Sequence, residues 1–204
     1  MQLIGMLDSP YVRRVAVSLN LMGIPFEHRS ISVFRTFEQF KAINPVVKAP
    51  SLVCDDGEVL MDSTLILDYA EALGTARRSL VSTDLQTRQH DLRVTGLALA
   101  ACEKSVQIVY EHELRPAEKM HAPWLDRVTG QLHSAYALLE QELQRRPLDS
   151  GSERMSQAGV TTAVTWQFTH MLLPGVVDMA KHPALQAFST AAEQLPEFLA
   201  APPK

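Results

Sequence analysis

Gln2-Leu3-Ile4-Gly5-Met6-Leu7-Asp8-Ser9-Pro10-Tyr11-Val12-Arg13-Arg14-Val15-Ala16 reads as a short strand that turns directly into a helix. Ser9 is a favoured N-cap, and Pro10 suits the first helical position, where an N–H has no partner to lose. Val12, Val15, Ala16, Leu19 and Met22 then recur at helical spacing, and Gly23 marks the end.

Outward from this stretch, residues 26–33 alternate in part and read as a second strand. Residues 36–43 carry Phe37, Phe40 and Ile43 and read as a short helix that Asn44-Pro45 ends. Residues 51–54 and 58–61 flank Asp55-Asp56-Gly57, a hairpin turn signal. Asp62-Ser63 then caps a helix expected to bury Leu65, Ile66, Tyr69, Ala70 and Leu73. The order is βαβαββα, with parallel pairing where a helix intervenes and antiparallel pairing in the hairpin. Beyond a polar stretch no strand pattern returns, and helical patterns cover residues 85–119, 123–145, 156–173 and 183–194. The expected class is α/β plus all-α: an N-terminal domain over 1–76, a linker over 77–84 and an all-helical domain over 85–204.

The 204 residues are 46% apolar and 21% charged, ordinary globular composition. Nineteen basic against 23 acidic residues give a net charge of −4, which argues against a nucleic-acid partner. Cys54 and Cys102 have no metal-ligand or redox spacing, and both are expected to be buried small hydrophobes. Glu111-His112-Glu113 lacks the second histidine of a zinc motif, so no metal is expected. No leader pattern opens the chain and no run approaches the ~18 apolar residues of a membrane span. The expectation is a cytoplasmic protein with no membrane partner. Trp124 and Trp166 are expected in the core.

Three short segments carry the chemistry. At Ser9, a helix N-terminus offers unpaired N–H groups and positive potential, which favour an anion such as a thiolate. A hydroxyl bond to the thiolate plus that N-terminus matches the ~2.7 kcal/mol needed to lower a thiol pKa by ~2 units. Within Val47-Lys48-Ala49-Pro50-Ser51-Leu52, Pro50 holds a turn before a strand. That leaves the Ala49 N–H and C=O to pair with an extended peptide, and Lys48 can meet a carboxylate. In Met61-Asp62-Ser63, Ser63 and the helix N-terminus suit a carboxylate while Asp62 suits an ammonium, the two charges of an α-amino-acid end. Taken singly, each segment also has a plain structural use: an N-cap, a loop proline and a capping pair.

Taken together, Ser9-Pro10-Tyr11-Val12-Arg13-Arg14, Asn44-Pro45 before Val47-Lys48-Ala49-Pro50, and Asp62-Ser63-Thr64 resemble the cytosolic glutathione S-transferase superfamily. The match covers essentially the whole chain and is nearest to bacterial serine-type members. The resemblance implies a thioredoxin-like first domain and a helical second domain with the acceptor-substrate site and dimer contacts, hence a homodimer. It implies glutathione as co-substrate, its thiolate held by Ser9. Ala49, beside Pro50, would pair with its cysteinyl backbone. Asp62 and Ser63 would hold its γ-glutamyl end, and Lys48 would reach its glycyl carboxylate. The partner is then a small apolar electrophile, with Tyr11, and Tyr110 near the end of the long helix beside His112 and Arg115, as candidates for acceptor choice. Glutathione-dependent disulfide or peroxide reduction, and non-catalytic ligand carriage, are the alternatives. The turn has no C-P-Y-C cysteines, so any thiol chemistry comes from a bound ligand.

The family's second domain usually holds an S/T-x-x-D capping box. Here the run is Ser156-Gln157-Ala158-Gly159, with Met155 and Val160 as a hydrophobic staple. Glycine stands where the acid is expected, so Gly159→Asp is expected to raise the melting temperature.

Overall fold

A strand, β1 (Gln2–Ile4), is followed at once by helix α1 (Pro10–Met22), with Ser9 as N-cap and Gly23 as a left-handed C-cap at φ 67°. The computed structural model describes residues 1–74 and 76–203; Thr75 and Lys204, which fall within the expected 1–76 and 85–204 segments, lie outside them. The chain divides into two units: Met1–Ser82 together with Gln194–Lys204, and Thr83–Glu193.

In the first unit the order continues with β2 (Glu27–Arg29), α2 (Phe37–Ile43), β3 (Ser51–Val53), β4 (Val59–Met61) and α3 (Ser63–Ala72). The sheet order is β2-β1-β3-β4. β1 pairs parallel with β2 and antiparallel with β3, Leu3 opposite Leu52, and β3 pairs antiparallel with β4. This is the thioredoxin-like βαβαββα arrangement expected from the strand and helix patterns.

Helix α1 is buried almost all round. Val12, Val15, Leu19 and Met22 are fully enclosed, and so are Arg13 and Arg14, each at most 3% exposed. The C-terminal tail explains the first arginine. A short helix, α8 (Pro196–Leu199), places Phe198 in the core with its ring 5.7 Å from the Arg13 guanidinium carbon. Arg13 Nε donates to the Ala201 carbonyl at 2.8 Å, and Asn20 Nδ2 to the Glu197 carbonyl at 3.1 Å. The tail was expected in the helical domain, but its one aromatic side chain, Phe198, finds its cover on α1. The expected linker is likewise anchored: the Arg77 N–H meets the Met22 carbonyl, and Glu71 receives both the Leu80 N–H and the Ser79 hydroxyl. In α3 the buried stripe is Ser63, Ile66, Leu67 and Ala70 at i, i+3, i+4 and i+7. Leu65 falls off that stripe and is 64% exposed, contrary to expectation.

The second unit contains α4 (Leu85–Glu113), α5 (Ala122–Arg145), α6 (Gln157–Leu172) and α7 (Pro183–Ala192). α4 stops before the expected residue 119, since Pro116 has no N–H to continue the ladder and a short 3-10 turn follows. Among the described residues no helix is long and apolar enough to cross a membrane. The core centres on α6, where residues 158–166 are all buried. Tyr136, fully enclosed, bonds Thr169 Oγ1 at 2.6 Å, and Thr169 in turn meets Ser105 Oγ at 2.7 Å. Burial pushes the Tyr136 phenol far above its usual range. Trp166 is core, whereas Trp124 is 39% exposed and is not. Glu140 on α5 supplies the cap that α7 lacks locally, accepting the Ala184 and Leu185 N–H groups at 2.9 and 3.0 Å.

The structure reverses the expectation at Gly159. Ser156 does cap α6, its Oγ accepting the Gly159 N–H at 3.3 Å, and Met155 and Val160 are fully buried. A Cβ at residue 159 would sit 2.5 Å from Met155 Sδ and 3.3 Å from Phe188 Cζ. The space for the missing acid is occupied by the thioether beside the cap. Gly159→Asp is therefore expected to lower stability by ~1–3 kcal/mol, the range for overpacking a dense core. Calorimetry that finds an unchanged or raised melting temperature would contradict this.

Glu142 gives a second test. Its carboxylate accepts Arg93 Nε at 2.6 Å and Arg145 Nη2 at 2.5 Å, and these bonds hold its pKa at about 2 against an ordinary 4.5. A depressed carboxylate stabilises the fold above the unfolded value and loses that contribution as pH falls through the folded one. Glu142→Gln is expected to lower the melting temperature near neutral pH. Its gap to wild type should narrow between about pH 4.5 and 2; a pH-independent gap would contradict the ion-pair account.

Candidate functional site

Ser9 has extended backbone (φ −70°, ψ 122°), and its Oγ accepts the Val12 N–H at 3.5 Å. This long bond uses the oxygen and leaves the hydroxyl proton for something else. Ser9 and Tyr11 are both half-buried. Just before them, partial burial raises the Asp8 carboxyl above the usual carboxylate range, against the lowering influence of the Ser9 N–H and Arg35.

Ala49 is brought to this helix end through Gly5. With φ 139°, Gly5 occupies backbone that side chains rarely adopt, and a Cβ there would lie 2.5 Å from Val12 Cγ2 and 3.3 Å from Ala49 Cβ. One glycine thus lets the loop after α2 and the first turn of α1 close on the same point. The Ala49–Pro50 peptide is cis. Ala49 lies outside β3, and among the described residues no loop or turn hydrogen bond engages its N–H or C=O.

The loop itself hangs on two buried polar side chains that the sequence reading did not single out as functional. Asn44 Nδ2 donates to Ser51 Oγ at 2.8 Å, and Asn44 Oδ1 accepts the Val46 N–H at 3.0 Å. Ser51 Oγ donates a hydrogen bond to the Lys48 carbonyl at 2.8 Å. The bridge spans residues 45–50 and holds Val47 in the left-handed region at φ 53°. Lys48 projects as an exposed residue and enters no ion pair among the described residues.

At the third segment the cap falls one residue earlier than the expected Ser63. Asp62, not Ser63, is the N-cap of α3: its φ is 74° and its Oδ1 accepts the Thr64 N–H at 2.9 Å. Ser63 is the first helical residue and is 3% exposed. Its hydroxyl oxygen accepts a hydrogen bond from Arg14 Nη1 at 2.9 Å, while the same nitrogen donates to Thr64 Oγ1 at 3.0 Å. Val47 and Asp62 are the only non-glycine residues with positive φ among those described, and both fall in this region. Strained backbone of this kind persists where the surroundings over-determine it.

Ser9, Ala49, Pro50, Asp62 and Ser63 are thus all tied to the N-terminal half of α1 or to its neighbours in the first unit. Tyr110 belongs to the second unit, on α4, and is 45% exposed. Arg115 is held by Glu111, Nε to Oε2 at 2.7 Å. Cys54 and Cys102 are buried thiols not joined in a disulfide, and burial pushes the Cys54 thiol up, away from thiolate. Among the described residues no three His, Cys, Asp or Glu side chains gather as a metal site. Arg14 was legible only as a charge inside an apolar helical run, and Gly5 only as a glycine ending a strand.

The family model described as glutathione S-transferase, N-terminal domain, matches residues 3–77. The chain is 28% identical over 199 residues to a glutathione S-transferase of Triticum aestivum, covering 94% of this chain and 87% of that one. It is 26% identical over 175 residues to the uncharacterised GST-like protein YibF of Escherichia coli (strain K12), covering 86% of each. A crystal structure of a glutathione transferase family member from Pseudomonas fluorescens Pf-5, with bound glutathione, matches with a TM-score of 0.85 at 28% identity, covering 100% of this chain and 98% of that one.

The Asn44 bridge makes a prediction independent of any ligand. Asn44→Ala is expected to cost ~1–3 kcal/mol, the range for unpairing buried polar partners. It should also speed hydrogen exchange at the Val46 amide. Unchanged exchange there would show that the loop does not depend on the bridge.

Proposed function

Because this chain belongs to the glutathione S-transferase superfamily, we propose that it binds glutathione and activates its thiol for attack on an apolar, electrophilic small molecule. The observation that carries the reading is the state of the three segments. Ser9, Asp62 and Ser63 each use part of a polar group for the fold and keep part for a ligand, and the Ala49 N–H and C=O are both unengaged in their loop.

Ser9 spends its oxygen on the Val12 N–H, so its proton is free to donate to a thiolate. Positive potential at the start of α1 adds to that bond. A free thiol near pKa ~8.5 is only a few per cent ionised at neutral pH; lowering it by ~2 units requires ~2.7 kcal/mol. The Ala49 N–H and C=O pair with the cysteinyl backbone as a short strand addition, and Lys48 meets the glycyl carboxylate. Asp62 caps α3 with one oxygen and offers the other to the γ-glutamyl ammonium. The Ser63 hydroxyl takes the α-carboxylate. The thiol proton leaves to solvent, and the thiolate forms a carbon–sulfur bond with the electrophile as the displaced electron pair departs on a leaving group or, for an activated double bond, is taken up with a proton from solvent. Ser9 stabilises the anion and does not attack. Tyr11, and Tyr110 on the second unit, are assigned to acceptor choice. In this reading the protein acts as a cytoplasmic homodimer that detoxifies electrophiles.

Calorimetric titration with reduced glutathione, with thiolate absorbance near 240 nm followed against pH, tests this in wild type and Ser9→Ala. The expected result is binding, an apparent thiol pKa lowered by about a unit or more, and reversal of that fall in Ser9→Ala. Binding without a pKa shift would overturn the transferase mechanism in favour of a carrier or a disulfide-handling protein. An assay with 2-hydroxyethyl disulfide or cumene hydroperoxide separates those two. Absence of binding would overturn the reading altogether.

A further inference from the structure

We propose that Arg14 is a positioning residue that makes the γ-glutamyl site selective for an α-amino acid: its guanidinium fixes the Ser63 hydroxyl as a donor to the α-carboxylate. The proposal rests on the glutathione-binding reading above. It starts from an observation that reading does not use, the pair of bonds from Arg14 Nη1 to Ser63 Oγ and Thr64 Oγ1 at 2.9 and 3.0 Å.

A guanidinium has donors and no acceptor. Both hydroxyl oxygens must therefore be the acceptors in these bonds, and the two protons of one nitrogen serve one oxygen each. The Ser63 hydroxyl, free to rotate in most proteins, loses its choice of role. Its oxygen is engaged, and its proton points to an acceptor that no described residue provides. Ser63 is 3% exposed, so water satisfies that proton poorly. An arriving carboxylate satisfies it with a charge-assisted bond. A hydroxyl that accepts from a cation is also polarised into a better donor.

The consequence is directional. The lone pair left on Ser63 Oγ lies beside the Arg14 guanidinium, which repels a second cation and so disfavours an ammonium there, whereas Asp62, one residue earlier, can only accept while it remains ionised. The first turn of α3 is thus sorted into a donor corner backed by Arg14 and an acceptor corner at Asp62. An α-amino acid end, with its two opposite charges on one carbon, satisfies both corners; a plain amine or a plain acid satisfies one. Arginine suits this arrangement because the planar guanidinium fixes the directions of the two N–H bonds of one nitrogen, which a rotating ammonium does less well.

The test compares three ligands by calorimetry: glutathione, 4-aminobutanoyl-Cys-Gly, which lacks the α-carboxylate, and glutaryl-Cys-Gly, which lacks the amine. Arg14→Met is expected to weaken glutathione and glutaryl-Cys-Gly about tenfold or more, the loss of one hydrogen bond to a charged group. It should leave 4-aminobutanoyl-Cys-Gly within about twofold of wild type. Arg14→Lys, which retains the charge without the fork, is expected to fall between and carries the test if the methionine variant does not fold. Ser63→Ala should reproduce the same carboxylate-selective loss. Equal weakening of all three ligands would overturn the proposal, because a merely structural tie between α1 and α3 predicts that pattern. Unchanged glutathione affinity in both Arg14 variants would also overturn it. Wild-type protein that binds none of the three would instead remove the glutathione reading, and this proposal with it.

Discussion

The first two turns of α1 must be enclosed on every side and still leave their N-terminus open. Three consecutive side chains meet that demand, each projecting about 100° from the last and each reaching a different part of the chain. Val12 packs on Gly5 beside Ala49. Arg13 reaches the C-terminal tail at Phe198 and Ala201. Arg14 reaches Ser63 and Thr64 at the start of α3. At the helix start itself, Ser9 and Tyr11 stay half-buried on either side of the buried Pro10. The cis-proline loop and the α3 N-terminus are positioned by the side chains that bury the helix, so positioning and folding are one problem here.

The same economy runs through the polar groups. Ser9 accepts one long bond and retains a proton; Ser63 accepts from Arg14 and retains a proton; Asp62 caps with one oxygen and retains the other. Buried polar groups are ordinarily satisfied within the protein. Partly satisfied groups at the starts of α1 and α3, with Ala49 unengaged in its loop and, among the described residues, the only positive-φ non-glycine residues close by, are what supports the proposal of a ligand with matched donors and acceptors. In the proposed function, the donors at Ser9 and Ser63 meet the two anionic groups of a thiol-bearing peptide, and the acceptor at Asp62 meets its cationic one.

Much of this was legible in the chain because it rests on local rules. The N-cap at Ser9, the left-handed Gly23, the Asp-Gly hairpin turn and the β-α alternation each follow from a few neighbouring residues, and the structure has them. Reading stopped where the partner is distant. Nothing near Phe198 announces that it belongs under Arg13, 185 positions earlier in the numbering. No local signal tells that Glu140 caps α7 or that Asn44 and Ser51 bridge the loop. The cap of α3 was read one residue late, because both residue types are good caps and only the backbone of Asp62 decides between them. Gly159 was read as a missing acid, when the sulfur of Met155 already fills its place. Sequence patterns report which face is apolar; they do not report which atom occupies a given void.

The central claim is that Ser9, Ala49, Asp62 and Ser63 act on one ligand through the parts of their polar groups that the fold leaves free. A crystal structure of the protein with reduced glutathione tests it most directly. The account predicts the cysteinyl sulfur within hydrogen-bond reach of Ser9 Oγ and the cysteinyl backbone paired with Ala49. It also predicts the α-carboxylate on Ser63 Oγ, with the Arg14 bonds to Ser63 and Thr64 retained. Glutathione seated with its sulfur turned from Ser9, or with its carboxylate on Arg14 itself and Ser63 released, would contradict it.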